Sequence, residues 1–511
     1  MTACGIPRRR FLAASAASGL AGFAPFASAL AASAGGWGEE WGGAFATALG
    51  RNRMLLGWKT PPDRLDTKSL AVTGTWPAAL TGRFFRNGPS IHDRFGQRYR
   101  HWFDGDGMIQ EFAIDGCRIA HRGRVVRTPK LAREDAAGRR LYSGYATHLD
   151  SQALVQGPDS INAANISVLY HGGELLALWE GGSAVRLDDA TLAASGFKAW
   201  SPQLAGVPFS AHPKVDPDGT LWNIGCALLP RPALVLYRID RAGRLVKTGL
   251  VDAGPMGLIH DFVVTHKSLV ILIHPFLFDP VRAEQASILD AHAWKPQAET
   301  RVLVVDKEDF RKRRWHALPA CFGFHYGNGW EEADGTIRLD HCLASDPGIL
   351  IETLRYVMKG EFRPSAPLRY SRIVLPPKGE GRIEYQADEA EFAKVAPGAV
   401  GRRHRFVYTL GTPDSSEDWR FRTVVKRDLE RGTAESFDYG PGRIPEEHLF
   451  VPRPGGRSED DGWLIGTVLD WKKGVTALSA FDARAVAAGP VAQARLPYPL
   501  PLGFHGAFVG D

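Results

Sequence analysis

The stretch that decides the fold reads LVILI at residues 269–273, five apolar residues that stop just before His274 and Pro275. Short apolar, β-branched or aromatic runs bounded by Gly, Pro, Asp or Asn are typical of β-strands. Such runs recur along the chain as LLALW at 175–179, LVLYRI at 234–239, VLVV at 302–305, FVYTL at 406–410 and WLIGTV at 463–468. Helical stretches are scarce, and residues 280–293 and 387–394 are the better candidates. The sequence therefore predicts an all-β protein.

The number of strands and turns favours one large closed architecture. The chain holds 56 Gly and 34 Pro among 511 residues, which suits many tight connections, and its composition shows no break along its length. A β-propeller is the natural prediction, because radial repetition leaves only short, protected sheet edges. No clean internal repeat supports it independently, and a pair of stacked sandwiches is the alternative.

Composition and charge exclude several classes of protein. With 44% hydrophobic and 23% charged residues, the chain as a whole is not disordered, collagen-like or a coiled coil. A pI near 9.0 is typical of nucleic-acid binding. However, Arg8, Arg9 and Arg10 supply three of the six net positive charges, and no acid precedes Glu39. The excess therefore belongs largely to the N-terminus, and no nucleic-acid partner is expected.

The N-terminal residues read as a targeting segment. RRRFL at 8–12 precedes an apolar, Ala-rich run that extends to about residue 32, and Ala32-Ser33-Ala34 is a suitable cleavage site. The start resembles a twin-arginine export signal. We expect a signal peptide over residues 1–34, a single mature domain over 35–511, and a periplasmic location. The alternative is an N-terminal membrane helix.

The cysteines do not define a disulfide framework. Cys117, Cys226, Cys321 and Cys342 would remain after cleavage, and no C-x-x-C pair occurs among them. An exported protein permits a disulfide, but spacing alone does not pair these four.

Four of the sixteen histidines lie in dense patches of small, apolar or amide residues: His212, His260, His325 and His505. They are separated by 48, 65 and 180 residues, and no H-E-x-x-H motif is present. The spacing excludes a helical zinc-protease site. It suits ligands that come from different parts of a fold and converge on an axis.

The residues around these histidines resemble the carotenoid cleavage oxygenase family. The resemblance runs from about residue 60 to the C-terminus, and its motifs occur in family order. They are GRFFRNGP at 82–89, HWFDGDGMI at 101–109, AHPKVD at 211–216, HDFVVT at 260–265, FHYGNGWEE at 324–332, EDDG at 459–462, and GPVA at 489–492 leading to GFHG at 503–506.

The resemblance implies a seven-bladed β-propeller with a helical and loop cap over the face that holds iron. It implies one Fe(II) per chain, bound by His212, His260, His325 and His505, with O2 as co-substrate. Imidazole nitrogen suits ferrous iron, and four such ligands leave two octahedral positions open.

The resemblance also places three glutamates behind the histidines, namely Glu180, Glu391 and Glu447. Ligating histidines usually donate their second N–H to such a group, which fixes the ring. The chain departs from the family pattern at Ala393 and His448, where proline is usual. Glu446 is the adjacent competitor for Glu447.

The activity implied is cleavage of a C=C bond of a carotenoid or apocarotenoid by O2, which gives two carbonyl products. The alternative is a lignostilbene-type dioxygenase that cleaves the central double bond of phenolic stilbenes. The stilbene hypothesis requires a lysine and a tyrosine that recognise the phenol hydroxyl. Lys130 and either Tyr99 or Tyr142 are the candidates. From a different class, a non-catalytic propeller that binds a lipid or a partner is the rival.

An apolar alkene substrate requires an apolar tunnel, and its mouth is a candidate for peripheral contact with a membrane. Phe276 and Phe278, in PFLF at 275–278, are the candidate residues, with an ordinary core loop as the alternative. No protein partner is predicted.

Overall fold

The structure is a computed structural model that describes residues 37–116, 118–150, 152–228, 231–413 and 419–511. The predicted signal peptide and Cys117 lie outside the described residues. In the described part, Cys226, Cys321 and Cys342 are free and buried.

Strands dominate the described residues, and every ladder between them is antiparallel. In chain order they are β1 Arg64–Thr67, β2 Ala71–Gly74, β3 Gly82–Ile91, β4 Asp93–Arg94, β5 Gln97–Arg98, β6 Asp106–Asp115, β7 Arg118–Val125, β8 Ser167–His171, β9 Glu174–Leu178, β10 Val185–Leu187, β11 Ala194–Phe197, β12 Lys214–Val215, β13 Leu221–Ala227, β14 Ala233–Ile239, β15 Leu245–Asp252, β16 Val263–Val264, β17 Ser268–Ile273, β18 Phe276–Phe278, β19 His292–Trp294, β20 Thr300–Asp306, β21 Arg313–Leu318, β22 Phe322–Glu331, β23 Ile337–Ala344, β24 Arg369–Leu375, β25 Arg382–Lys394, β26 Phe406–Gly411, β27 Thr423–Asp428, β28 Thr433–Asp438, β29 Arg443–Pro452, β30 Gly462–Asp470, β31 Val475–Asp482, β32 Ala492–Arg495 and β33 His505–Val509.

Helices are few and short. The α-helices are α1 Trp37–Arg51, α2 Pro129–Ala137 and α3 Leu354–Tyr356, with a π-turn at Ile349–Thr353. Single 3₁₀ turns occur at Arg53–Trp58, Trp102–Asp104, Pro158–Ile161, Pro202–Leu204, Arg282–Glu284, Val357–Lys359, Pro397–Ala399 and Val486–Ala488. In the described part of the chain, no helix has the length and apolar character needed to cross a bilayer.

The strands form sheets from consecutive segments of chain. Their orders are β1-β7-β6-β3-β33, β11-β10-β9-β8, β12-β13-β14-β15, β16-β17-β20-β21, the seven-stranded β22 to β28, and β2-β32-β31-β30-β29, with two small pairs, β4-β5 and β18-β19. The two ends of the domain interlock, because β33 completes the sheet of β3 while β2 completes the sheet of β32. The predicted all-β fold is confirmed, and each apolar run quoted above overlaps a strand.

The core is a circuit of apolar layers between neighbouring sheets. Phe85 in β3 and Val168 in β8 share one layer, and the next layers join each sheet to the one that follows it in the chain. The last layer brings Leu478 in β31 against Phe112 in β6, which returns to the first sheet.

The two predicted helices are wrong. Residues 387–394 belong to the long strand β25, since their backbone pairs with both β24 and β26. Residues 280–293 contain only the turn Arg282–Glu284 before β19. In both places, ladder and tertiary contacts override a weak local preference for helix.

Several helical segments pack into one apolar cluster, whereas Leu131 of α2 belongs to a different one. Residues of α1, the turn Arg53–Trp58 and the segment 349–358 form a single apolar cluster with Phe324, which precedes His325 in β22, and with Phe504, which precedes His505. This apolar cluster lies beside the predicted metal ligands His325 and His505.

Candidate metal centre

The four predicted histidines converge on one point. Their candidate ligand atoms all lie within 4.8 Å of one another. The Nε2 atom of His260 is 2.9 Å from that of His212 and 3.1 Å from that of His325, whose Nε2 is 3.1 Å from that of His505. Each histidine belongs to a different sheet or to the loop that enters it, so long-range packing creates the cluster.

Three of the histidine rings are hydrogen-bonded to carboxylates through Nδ1, the nitrogen that faces away from the cluster. His260 Nδ1 lies 2.5 Å from Glu180, His325 Nδ1 lies 2.5 Å from Glu391, and His505 Nδ1 is 2.7 Å from Glu447. A ring that donates its Nδ1 proton presents a bare Nε2 lone pair. The described residues give no such carboxylate to His212.

Glu446 and Glu447 have different partners. Glu447 Oε2 accepts the backbone N–H of Gly506 at 2.9 Å, beside its bond to His505. Glu446 forms a buried ion pair with Arg86 and accepts a hydrogen bond from the Gly503 N–H at 2.7 Å. The structure therefore places Glu447 at the cluster and Glu446 in a separate pair.

A bulge in β25 places Glu391 and Lys394 near the cluster. The register with β26 shifts between these two residues, and Phe392 has φ of 56°. Bulges re-aim side chains next to functional sites. The Phe392 ring stacks on His325, with centroids 5.1 Å apart.

The buried charges around the cluster do not balance. Four carboxylates, those of Glu180, Asp261, Glu391 and Glu447, are buried, whereas two lysines reach them. Lys214 lies 2.7 Å from Asp261, and Lys394 lies 2.8 Å from Glu447. Buried charges are stable only when compensated, so the two carboxylates without a lysine partner, Glu180 and Glu391, favour a cation at the cluster when they are ionised.

Burial and charge set the protonation of these groups. Burial lowers the pKa of His505 to about 3, against the opposing charge of Glu447, and it lowers the pKa of His212 and His325 well below the usual value. For His260, burial lowers the pKa, but the charge and hydrogen bond of Glu180, together with the charges of Asp261 and Glu391, raise it above the usual value. Burial raises the pKa of Glu391 to about 8. The cluster therefore presents mainly unprotonated nitrogens and attracts positive charge.

This donor set fits the metal that the family resemblance implies. Imidazole nitrogen suits iron, zinc, copper and nickel, whereas calcium and magnesium prefer oxygen ligands. Nε2 atoms at 2.9–3.1 Å from one another repel unless a proton or a metal ion lies between them, and a metal ion can serve all four at once.

An apolar cavity opens next to His260. A concave site with a mainly apolar wall and a few polar groups is typical of small-molecule binding. Its wall is mainly aromatic and aliphatic, formed by Phe103, Tyr145, Gly257, Leu258, Ile259, Leu272, Ile273, Phe276, Phe322, Gly323, Phe324, Tyr326 and Leu350, with Glu180, His260, Asp261, His274 and His292 as its polar members.

Only one of the predicted substrate-binding residues lines the cavity. Phe276 lines the cavity, whereas Phe278 does not, although its ring lies 5.3 Å from His292. Lys130 is buried, 2.8 Å from both Asp106 and Tyr99. Neither Lys130 nor Tyr99 nor Tyr142 lines the cavity.

Sequence reasoning missed four residues of the site: Tyr145, Lys214, His274 and Lys394. Lys214 follows His212 by two positions, and Lys394 follows Glu391 by three, so their motifs contained a usable pattern. Tyr145 and His274 carried none, because only packing brings them to the cavity.

Comparison with known proteins gives a consistent result. Residues 59–510 match the family described as retinal pigment epithelial membrane protein. An apocarotenoid-15,15'-oxygenase from Synechocystis is 30% identical over 484 residues, covering 89% of this chain and 95% of that protein. A carotenoid 9,10(9',10')-cleavage dioxygenase 1 from Phaseolus vulgaris is 30% identical and covers 89% of this chain and 88% of its own.

An isoeugenol monooxygenase from Pseudomonas putida is 28% identical, covering 90% of this chain and 98% of its own. Among solved structures, a variant of Synechocystis apocarotenoid oxygenase superposes with a TM-score of 0.81 at 28% identity. A cobalt-substituted form of that oxygenase gives a TM-score of 0.81 at 27% identity, and both cover 90% of this chain and 98% of theirs.

Proposed function

The chain belongs to the carotenoid cleavage oxygenase family, and we propose that it is an Fe(II) dioxygenase that cleaves a C=C bond of a carotenoid or apocarotenoid with O2. Two carbonyl compounds are the products. The observation that carries the proposal is the four-histidine cluster, backed by three glutamates, at the end of an apolar cavity.

His212, His260, His325 and His505 would hold one iron per chain. Iron(II), when bound, supplies the redox chemistry that lets O2 react with an alkene. Glu180, Glu391 and Glu447 keep three rings in the tautomer that presents Nε2 inward. Lys214 and Lys394 limit the negative charge of the site, and so help to hold the carboxylates where the rings need them.

The cavity wall would bind and position the apolar substrate. The ring centroids of Phe103 and Phe324 lie 6.1 Å apart, and that of Phe324 lies 5.5 Å from the ring centroid of His260. An apolar chain that packs against these rings is therefore held beside the metal centre. Which double bond reaches His260 then sets the cleavage position. The aromatic wall also excludes water from the reacting bond.

A phenolic stilbene is the second candidate substrate. The similarity to an isoeugenol monooxygenase, which acts on a phenolic alkene by its name, favours it. Against this substrate, the Lys130 ammonium already donates hydrogen bonds to Asp106 and Tyr99. The non-catalytic alternative requires loss of the ligand histidines, and all four are present.

The finer description of the fold is also a proposal. We infer a seven-bladed propeller, in which the seven-stranded sheet supplies two blades that share β25. The circuit of apolar layers and the interlocked ends support it. The cap would then consist of α1 and the segment 349–358, and residues 35–511 would form one domain.

The location is proposed from the sequence. Residues 1–34 would direct twin-arginine export to the periplasm, and the mouth of the cavity near Phe276 and Phe278 would contact a membrane that carries the apolar substrate. The half-buried state of Phe276, Leu277 and Phe278 is compatible with such a contact.

The test is a substrate panel given to protein loaded anaerobically with iron. Apocarotenals and a hydroxystilbene are added with and without O2, and the products are identified by mass. Carbonyl fragments that require O2 support the proposal and distinguish the two substrate classes. If neither class yields such fragments, the enzymatic proposal fails.

A further inference from the structure

The cavity contains an unusual polar side chain on the side away from the cluster. His274 follows β17, and two phenylalanine rings separate it from the metal centre. Phe324 lies 5.5 Å from His260, Phe322 lies 5.2 Å from Phe324, and the His274 ring lies 5.7 Å from Phe322, all measured between centroids. A substrate anchored at the centre would therefore extend toward His274.

Apart from His274, the histidine and carboxylate members of the wall already have protein partners. Glu180 is bonded to His260, and Asp261 to Lys214. His292 is bonded through both nitrogens, to the Ile288 carbonyl at 2.7 Å and to the Leu258 N–H at 3.3 Å. Tyr145 lies at the metal end of the cavity, where the charge of Glu180 and burial raise the pKa of its hydroxyl.

His274 is held from one side only. Its Nδ1 lies 3.9 Å from the Cys321 sulfur. Burial lowers the pKa of His274 to about 4, and a backbone hydrogen bond with Cys321 partly opposes this effect. The ring is therefore neutral, and we assign the tautomer in which Nδ1 donates toward Cys321. Among the described residues, nothing bonds the Nε2 atom, which is an acceptor in this tautomer.

A free acceptor in an apolar wall discriminates between end groups. A hydroxyl group can donate to it, whereas a carbonyl or an ether cannot. A site that offers such an acceptor disfavours an analogue without a hydroxyl, because an apolar group placed against the acceptor leaves it unpaired.

We propose that His274 is a specificity-determining residue that accepts a hydrogen bond from a hydroxyl group at the end of the alkene remote from the metal centre. The preferred substrate class is then a hydroxylated alkene rather than an aldehyde or an ether. This inference deepens the proposed function and rests on it for the position of the scissile bond.

The experiment compares two pairs of compounds, an apocarotenol with its methyl ether and 4-hydroxystilbene with 4-methoxystilbene. The values of kcat/KM are measured for iron-loaded wild-type protein and for His274→Phe. We expect wild-type protein to prefer the hydroxyl compound of at least one pair by about tenfold or more. His274→Phe should lose most of that preference, so that the ratio of the kcat/KM values for the two members of each pair falls toward one.

Two controls make the result specific. His266→Phe changes an exposed histidine near the start of the same strand and should leave the preference unchanged. His274→Gln, which retains a hydrogen-bonding group, replaces His274→Phe if that variant does not fold. An absent preference in wild-type protein, or a preference that survives His274→Phe, overturns the inference.

A binding measurement separates this inference from the proposed function. Quenching of tryptophan fluorescence by the same compounds reports affinity without turnover. If no compound is cleaved, the proposed function fails, but a tenfold tighter binding of the hydroxyl compound that disappears in His274→Phe still supports the role of His274. Equal binding of both members of each pair refutes it.

Discussion

Glu447 Oε1 lies 2.7 Å from His505 Nδ1, and the Lys394 ammonium lies 2.8 Å from the same oxygen. One buried carboxylate thus joins a candidate ligand to a cation. Burial would raise the pKa of Glu447, but Lys394 and His505 hold it well below the usual value. Glu447 is therefore ionised, and its charge is directed at the ring.

Replacing Glu447 with glutamine should weaken metal binding. The amide keeps the size of the side chain but removes the charge that orients His505, and losing such a partner typically costs about 10–100-fold in metal affinity. Titration with Co(II), followed by its absorption spectrum, measures the change. Glu380→Gln, at an exposed position, is the matched control. An unchanged affinity would show that Glu447 has no part in the site.

Replacing Lys394 with methionine should destabilise the metal-free protein and increase its stabilisation by metal. The free energy of unfolding should fall by about 2–3 kcal/mol, below the value for a fully buried pair because 30% of the lysine side chain is exposed. The site then carries one more negative charge, so added metal should raise Tm more than in wild-type protein. Lys394→Arg should behave like wild type. Equal Tm increases in Lys394→Met and wild type would contradict the charge balance.

The stability of the metal-free protein should fall as the pH drops below 6.5. Burial lowers the pKa of His121 to about 3, so the folded protein keeps this ring neutral while the unfolded chain binds a proton. Between pH 6.5 and 3 the unfolded state therefore holds more protons, and acid favours unfolding. His121→Gln should reduce the slope by up to about 1.4 kcal/mol per pH unit. Urea unfolding at several pH values measures it, with His266→Gln as control; identical slopes would refute the assignment.

The proposed membrane contact depends on Phe278 more than on Phe276. Phe276 also lines the cavity, so its replacement changes substrate binding as well. Phe278→Ser should weaken sedimentation with liposomes and leave turnover of a water-soluble substrate unchanged. Val246→Ser, at a 57% exposed position of β15, is the control for a general loss of surface apolarity. Unaltered liposome binding by Phe278→Ser would leave the segment as an ordinary loop.

The sequence was most informative where the pattern is local or the motif specific. Apolar runs such as residues 269–273 predicted strands correctly, and the motif context singled out the four histidines and three glutamates that the structure brings together. It failed for residues 387–394, where a bulged strand looks like a short helix. It could not find His274 or locate Lys130, because their surroundings are created by sheets distant in the chain.

The central claim is that the four-histidine cluster supports O2-dependent cleavage of an alkene. The most direct measurement is mass spectrometry of the products formed from an apocarotenoid under 18O2, with the carbonyls trapped by reduction before they exchange with water. We expect two fragments that both carry 18O from wild-type, iron-loaded protein, and neither iron nor fragments with His260→Ala. Fragments without label, or cleavage that persists in His260→Ala, would contradict it.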